Sequence, residues 1–382
     1  MPTISRPARN ATLGVALIFA LLGTIAAWRN LTAADLPATT DTSVSLRNLP
    51  ANQWIKYHEE RPAGWSRQAH AGIAFDSKRG TLLIFGSDTH GGDWDNAVHE
   101  FNPKLKRWDT HQAAAKPETY RSDASGAPIA GTKVLQPWAM HTYDTIEYHP
   151  GLDALVVMST TEHNPGPGPV PGITRQPTWI YDLSKRVWRP FENAGQPTPS
   201  FFAGSSAYDE RRGVVVAYRY AVWELDIASG SWRRASAESH HEIHHTMAYD
   251  QRRGELFVFG DYRATNVVWS YRPGAKIGDA GTWTQHQPKG DPCPPYSTVP
   301  VAYDAAAGVF VLVVDNVEPN ATTASTYLYD PEADTYKKLR GADLPRVAMN
   351  YMMAWDKNNR VAFLVTGVAN GNVTVWAMRP QK

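Results

Sequence analysis

The sequence predicts an all-β protein built as a six-bladed β-propeller, preceded by an N-terminal apolar helix. Two observations lead to this prediction: a strand–turn–strand block recurs six times after residue 69, and a second hairpin block of constant spacing follows it. Of the 382 residues, 42% are apolar and 20% are charged, which suffices for a large core. The formal net charge of +1 gives no electrostatic reason to expect a nucleic-acid partner.

The first block reads HAGIAFDSKRGTLLIFG at residues 70–86. Its common form is an aromatic residue, Asp, three polar or small residues, Gly and an apolar run. The Asp side chain can accept bonds from turn amides, and the Gly can take the positive φ that closes a hairpin. Each copy therefore predicts two antiparallel strands joined by a tight turn. The six copies begin near His70, Tyr143, Ala203, His244, Thr298 and Asn350.

The second block has four clear copies: FNPKLKRW, YDLSKRVW, LDIASGSW and YDPEADTY. In each copy the closing Trp or Tyr stands six positions after the Asn or Asp. This spacing predicts a second hairpin, so that each repeat supplies the four strands of one propeller blade. The last repeat ends without its fourth strand. We expect segment 52–57, which contains Trp54, to complete that blade and so close the ring without a free edge.

These repeats resemble the Kelch-type repeats of the galactose oxidase/Kelch propeller superfamily. The likeness covers residues 54–378 and rests on the aromatic-Asp-x-x-x-Gly turn, on the spaced tryptophans, and on strands that end in Phe85-Gly86 and Phe259-Gly260. In place of the usual Gly-Gly pair, this chain has Gly86-Ser87 and Gly260-Asp261. The resemblance implies that the first strand of each blade lines a central channel. Such propellers include enzymes, glycan binders and protein scaffolds, so the fold does not select a function.

The N-terminus predicts export. Arg6 and Arg9 precede an uncharged apolar run at residues 11–28, the pattern of a cleaved signal peptide or an uncleaved signal anchor. Either alternative places the rest of the chain outside the cytoplasm, as a periplasmic, secreted or membrane-anchored protein, and makes residues 1–29 its only expected membrane contact. We expect a linker over residues 30–52 and the propeller over residues 53–380.

Equivalent positions predict a polar channel mouth. Two residues before the turn Asp, five of the six repeats carry Ala and the other carries Glu147. Six residues before it stand the residues that begin the repeats, and strand alternation predicts that they share the orientation of the alanines. Loops on the same face add further polar and aromatic side chains. The candidate ligand-binding residues are His70, His90, Trp94, Arg219, Tyr220, Glu242, Arg263 and Asn350.

This chemistry suits a polar small molecule or a polysaccharide. One concrete hypothesis is β-elimination on a uronate polysaccharide, in which an arginine neutralises the carboxylate and a base removes the C5 proton. The candidates for proton transfer are His141, Tyr143, His163 and His244.

The set of His141, His163 and Arg219 is loosely similar to the residues of some propeller polysaccharide lyases. The tyrosine of those enzymes falls here near Phe202-Ala203, so Tyr143 or Tyr220 would have to replace it. The alternative is a non-catalytic scaffold that binds a protein partner through its loop face. The sequence leaves open whether the protein is an enzyme.

The sequence requires no cofactor, although a divalent metal stays possible. Residues 240–245 read HHEIHH, which contains H-E-x-x-H, but a zinc protease needs that motif on a helix and no helical pattern surrounds it. On a strand, His240, Glu242 and His244 would share one side and could hold a metal. The single cysteine, Cys293, excludes a disulfide framework, and nothing around it matches the copper site of the galactose oxidases.

Overall fold

Antiparallel sheets make up the computed structural model, which describes residues 45–62, 65, 69–163, 172–191, 199–367 and 371–382. We number six sheets by the first repeat block that each contains. Sheet 1 contains Gly72–Asp76, Thr81–Phe85, His99–Asn102 and Arg107–Thr110. Sheet 2 contains Ile146–His149, Ala154–Val157, Thr178–Asp182 and Val187–Phe191. Sheet 3 contains Ser205–Asp209, Val214–Tyr218, Val222–Asp226 and Ser231–Ser236.

The remaining sheets follow the same order. Sheet 4 contains Thr246–Asp250, Glu255–Phe259, Val268–Arg272 and Thr282–His286. Sheet 5 contains Val301–Asp304, Val309–Asp315, Thr323–Asp330 and Thr335–Lys338, with the short strands Lys289–Gly290 and Leu344–Pro345 added to it. Sheet 6 contains Met353–Asp356, Val361–Gly367, Val373–Met378 and, from the start of the described chain, Ile55–Glu60. The all-β architecture predicted from the repeats is therefore confirmed as that of a β-propeller.

The repeat turns close through their aspartates. In sheet 3, Asp209 Oδ1 accepts hydrogen bonds from the backbone amides of Arg211 and Arg212, at 3.0 and 3.2 Å. Gly213 follows with φ of 71°, and its amide donates to the Asp209 carbonyl at 2.8 Å. The turns after Asp76 and Asp250 repeat this pattern. The aromatic-Asp-x-x-x-Gly block is thus a hairpin whose Asp satisfies turn amides.

The core lies between neighbouring sheets rather than within one layer. Among the described residues, six buried apolar clusters each join two adjacent sheets, and one of them joins sheet 6 to sheet 1. The first strands of the sheets contact one another in the same circular order. Residues distant in sequence can therefore meet where these first strands lie side by side.

The first described strand pairs with the last one. Ile55–Glu60 lies antiparallel to Val373–Met378 at the outer edge of sheet 6. Next to it, the Trp54 indole donates to Thr326 Oγ1 of sheet 5 at 2.8 Å, and the Tyr57 hydroxyl donates to the Pro103 carbonyl of sheet 1 at 2.8 Å. This strand therefore contacts the sheets on both sides of its own.

The described chain contains few other elements. Arg121–Ser122, Pro128–Ala130 and Gln136–Pro137 form a small separate sheet, and Leu46–Asn48, Thr89–Gly91 and Pro117–Thr119 are 3-10 turns. No helix in the described part of the chain has the length and apolarity to cross a membrane. The signal or anchor segment at residues 1–29 and most of the 30–52 linker lie outside the described residues.

Candidate functional site

Four residues enter the channel mouth in the same unusual backbone conformation. His70, Tyr143, Ala203 and His244 have φ of 62°, 50°, 52° and 62°. The sequence register placed them on the first strands, but those strands begin two or three residues later. Each of the four therefore forms a left-handed turn into its strand, a conformation that bulky residues rarely adopt and that is concentrated at functional sites.

Three of these side chains meet at the axis although they come from different repeats. The ring centroids of His70 and Tyr143 are 5.3 Å apart, and those of Tyr143 and His244 are 5.2 Å apart. Tyr351 joins them, with its ring 5.3 Å from that of Tyr143. Tyr143 and Tyr351 are each only 2% exposed, so these aromatic rings fill the mouth of the channel.

Four histidines form a cluster on one side of this mouth. The His141 ring is 4.5 Å from both the His70 and the His90 rings, and the His163 ring is 4.3 Å from that of His90. Asp88 Oδ1 lies 3.8 Å from His70 Nε2 and 4.0 Å from His141 Nε2. We call His70, His90, His141 and His163 the histidine cluster.

His141 is the fixed member of the histidine cluster. It is 2% exposed, its Nδ1 lies 2.9 Å from the Tyr143 hydroxyl, and its backbone carbonyl accepts a hydrogen bond from Ser159 Oγ. Burial, followed by the neighbouring histidines, lowers the pKa of His141 to about 2. The His141 imidazole is therefore neutral at physiological pH and held in one orientation.

Thr89 connects two members of the cluster. Its Oγ1 lies 3.0 Å from His141 Nε2 and 2.9 Å from His163 Nδ1. It occupies the 3-10 turn Thr89–Gly91, which Asp88 caps at Gly91 N. Sequence analysis did not single out Thr89; its position beside His90 in the loop was the available signal.

His244 lies on the other side of Tyr143. Its Nδ1 is 2.9 Å from the Tyr351 hydroxyl, which in turn is 3.4 Å from Thr298 Oγ1. Burial, and then the nearby Arg219 guanidinium, lower the pKa of His244 to about 4. Burial is also the main cause that raises the pKa of Tyr143 far above its usual value. A neutral imidazole thus faces a protonated phenol across the mouth.

Arg219 supplies positive charge beside these two groups. Its guanidinium lies 5.5 Å from the centre of the Phe202 ring and 5.0 Å from that of the exposed Tyr220 ring. Its Nε is buried and has no hydrogen-bond partner among the residues that the structure describes. The Phe202 ring is itself 5.2 Å from the Tyr143 ring. An arginine held by aromatic stacking, with a donor unused, is suited to an anionic ligand.

Several predicted ligand-binding residues do not join this group. Asn350 is 1% exposed and bonds to the backbone of Val365 and Met352, so Tyr351 faces the mouth in its place. Trp94 packs against Tyr120, in a cluster with the small extra sheet.

Arg263 and Glu242 also have partners of their own. The Arg263 guanidinium donates to the Asp261 carboxylate and to the His240 carbonyl, and its Nε lies 3.8 Å from Glu242 Oε1. Arg263 therefore connects Asp261 to the backbone of the 240–245 segment.

The four histidines of residues 240–245 have different surroundings. The segment is irregular and not a strand, so His240, Glu242 and His244 do not share one side and do not form the metal set that alternation predicts. The His240 ring stacks 3.7 Å from the Trp269 ring, while His244 faces the mouth. His241 and His245 are buried, and Tyr218 Oη accepts hydrogen bonds from the amides of His240 and His241.

Three sets of side chains in the described chain bring potential metal-binding atoms within 4.8 Å of one another. Two belong to the histidine cluster: one is His90, His141 and His163, and the other is His70, Asp88 and His141. The third set, away from the mouth, is Glu100, Asp109 and His111.

Cys293 does not contribute to the site. It is 6% exposed in an apolar cluster with Tyr296, and burial raises the pKa of its thiol to about 12. A protonated buried thiol behaves as a small apolar side chain.

No protein-family model and no curated protein matches the chain. Among solved structures, the chain is similar to one chain of a structure described as "Crystal Structure of Mitotic Checkpoint Complex". The two are 10% identical with a TM-score of 0.47, over 91% of this chain and 100% of the other. A likeness at this level does not bear on what this chain does.

Proposed function

We propose that this protein is an exported six-bladed Kelch-type propeller that binds an anionic carbohydrate at its channel mouth and cleaves it by β-elimination. The observation that carries the proposal is the arrangement around Arg219. An arginine with an unused donor stands beside a neutral imidazole, His244, and a protonated phenol, Tyr143. This is the combination of charges that elimination from a uronate requires.

Each residue then has one role in the reaction. The Arg219 guanidinium binds the uronate carboxylate and stabilises the negative charge that develops when C5 loses its proton. His244 takes that proton at Nε2, because its Nδ1 can donate to the Tyr351 oxygen while the Tyr351 hydroxyl turns toward Thr298. The electron pair of the C5–H bond forms the C4–C5 double bond, and the C4–O bond breaks.

Tyr143 completes the proton balance. Its hydroxyl donates a proton to the departing oxygen, and the proton taken up by His244 then returns to the phenolate through solvent. The net reaction therefore consumes no proton. The rings of Tyr143 and His244 are 5.2 Å apart, so acid and base are held close together at one mouth.

The direct test incubates purified protein with uronic-acid polymers and follows the ultraviolet absorbance of the new double bond. We expect Arg219→Ala and His244→Gln each to reduce kcat/KM at least about tenfold, equivalent to about 1.4 kcal/mol. Matched controls are Arg186→Ala and His286→Ala, whose side chains contact Asp109 and Ser270 outside this group. Control and test variants with equal activity would contradict the proposal.

The pH profile gives a second test of the base. If the base were a histidine of ordinary pKa, activity would fall below about pH 6.5. Because burial and Arg219 lower the pKa of His244 to about 4, we expect kcat/KM to stay constant down to about pH 5 and to fall near pH 4. Ionisable groups near His244 include Arg219, Tyr143, Tyr351, Tyr262, His141 and His245.

A protein-binding scaffold is the second candidate. Tyr220 and Tyr262 are each 52% exposed, and large exposed aromatic side chains serve as anchors at protein interfaces. A scaffold does not need a neutral His244. Loss of partner binding in Tyr220→Ala and Tyr262→Ala, without any uronate cleavage by the wild type, would favour this alternative.

A further inference from the structure

We propose that His90, His141 and His163 bind one divalent transition-metal ion of the zinc type through one imidazole nitrogen each. The site lies beside the proposed uronate-binding group but shares no residue with it. It rests on the geometry of the histidine cluster and holds whether or not the protein is a lyase.

The first argument is convergence. One nitrogen from each ring lies within 4.8 Å of those of the other two, and His141 Nε2 and His163 Nδ1 lie 3.0 and 2.9 Å from a single oxygen, Thr89 Oγ1. Zinc binds imidazole nitrogens at about 2.0–2.1 Å. The imidazole nitrogens therefore need to move about an ångström closer to a common centre. His90 and His163 lie on loops, and the His90 side chain is exposed, so these two rings have room to move.

The second argument is preorganisation of the buried ligand. Nδ1 of His141 is engaged by the Tyr143 hydroxyl, so Nε2 is the nitrogen left to face the ion. Metal-binding histidines nearly always have their second ring nitrogen hydrogen-bonded in this way, which fixes the tautomer and the ring orientation. With an ion on Nε2, Nδ1–H donates to the Tyr143 oxygen, and the Tyr143 hydroxyl is released to donate toward the mouth.

The third argument is electrostatic. Asp88 Oδ1 lies 3.8 Å from His70 Nε2 and 4.0 Å from His141 Nε2, so a carboxylate stands beside the proposed ligands. A divalent ion supplies the positive charge that Asp88 attracts.

The ligand types select the class of ion. Three imidazoles suit Zn²⁺, Co²⁺, Ni²⁺ or Cu²⁺, whereas Ca²⁺ and Mg²⁺ prefer oxygen ligands. Three protein ligands also leave a fourth tetrahedral position for water or a substrate oxygen. The exposed His90 leaves the cluster accessible from solvent.

The experiment measures zinc binding to the full chain without an affinity tag, after dialysis against a chelator. We expect about one Zn²⁺ per chain by calorimetry and by elemental analysis. His90→Ala and His163→Ala should each weaken zinc binding at least about 100-fold, because each removes one ligand, and the double variant should bind none. Neither residue is deeply buried, so both variants should fold, which circular dichroism checks.

Two control variants separate this site from other histidines. His240→Ala removes a histidine stacked on Trp269, and His111→Ala disrupts the Glu100, Asp109 and His111 set. Both should bind zinc as the wild type does. Loss of zinc in His111→Ala with retention in the His90/His163 double variant would overturn the proposal, as would a wild type that binds no zinc.

Cobalt gives a readout that does not depend on stoichiometry. Co²⁺ in the wild type should show the visible bands of a four-coordinate ion, and these bands should disappear in His163→Ala. Excess Mg²⁺ or Ca²⁺ should leave them unchanged. Zinc binding without uronate cleavage would mean that the proposed function fails while the metal site stands, since Arg219 and His244 are not ligands.

Discussion

At the scale of single residues, the channel mouth depends on small polar groups that hold histidines in place. Thr89 is the clearest case, because one hydroxyl serves two imidazoles, and Thr89 is itself 5% exposed. A buried nitrogen that loses its partner costs more than a surface hydrogen bond contributes. The orientation of His141 is therefore coupled to a residue that makes no contact with the proposed substrate group.

We predict that Thr89→Val lowers the free energy of unfolding by about 1–3 kcal/mol when zinc is removed with a chelator. Valine keeps the shape of the side chain but leaves His141 Nε2 buried without the hydroxyl. Urea denaturation measures the change. Thr89→Ser is the matched control: it keeps the hydroxyl and should destabilise the protein less. Equal losses in the two variants would show that packing, not hydrogen bonding, holds the site.

At the scale of elements, each repeat turn is stabilised at the end of the strand away from the mouth. Asp209 is buried, its Oδ1 accepts two turn amides, and its Oδ2 lies 2.6 Å from Arg212 Nε. Such an aspartate specifies a turn and leaves the other end of the strand free to carry functional residues.

We predict that Asp209→Ala lowers the free energy of unfolding by about 1–3 kcal/mol, because buried turn amides lose their acceptor. Zinc binding at the mouth should be unchanged. Asp209→Asn keeps the Oδ1 acceptor and loses only the charge toward Arg212, so it should cost less. A loss of zinc affinity in Asp209→Ala, with its stability intact, would contradict the assignment of the turns to the strand ends away from the mouth.

The sequence allowed the strands to be predicted better than the site. Asp209 and Gly213 predict a hairpin because their turn contacts and backbone conformation involve only residues a few positions away. The choice of Tyr351 over Asn350 at the mouth depends on contacts with His244 and Tyr143, which lie far away in sequence. Period-two alternation failed for His240, Glu242 and His244 as a set, because the segment is not a strand and a left-handed turn at His244 precedes the strand that begins at Thr246.

The three proposed metal ligands also could not be predicted from sequence, because they meet through long-range contacts. His90, His141 and His163 come from two repeats, and no spacing in the sequence links all three. By contrast, the run at 240–245 has the spacing of a metal motif but lacks the helix that would unite its histidines. Local spacing is therefore a poor guide to ligands in this fold, where residues meet across the axis.

At the scale of the whole molecule, the first strands of the six sheets line one cavity. A cavity of about 180 Å³ lies where the inner strands meet, and it is lined by the alanines two residues before the turns together with Glu147 and Asp144. The small alanines allow the strands to approach the axis closely. The carboxyl side chains of Asp144, Glu147 and Glu210 also line the cavity, and burial raises the pKa of Glu147 to about 8 and that of Asp144 well above its usual value.

Glu147 should therefore make the stability of the propeller depend on pH. A carboxyl group whose pKa is higher in the folded than in the unfolded chain binds more protons when folded, so its contribution is complete below about pH 4.5 and is lost as the pH rises through about 8. We predict that Glu147→Gln, which cannot ionise and keeps an acceptor for Ser206 Oγ, becomes progressively more stable than the wild type across this interval.

The difference should grow by up to about 1.4 kcal/mol per pH unit, which corresponds to one proton. Urea denaturation at a series of pH values measures it, and using the difference between two proteins removes the titration of groups that do not interact with Glu147, which leaves Asp144 as the neighbour that contributes. Glu118→Gln is the control, because it replaces an exposed glutamate of the turn Pro117–Thr119, outside the cavity lining, and such surface charges contribute little at any pH. Parallel stability curves for Glu147→Gln and the wild type would mean that water reaches the channel and that Glu147 ionises freely at the centre of the ring.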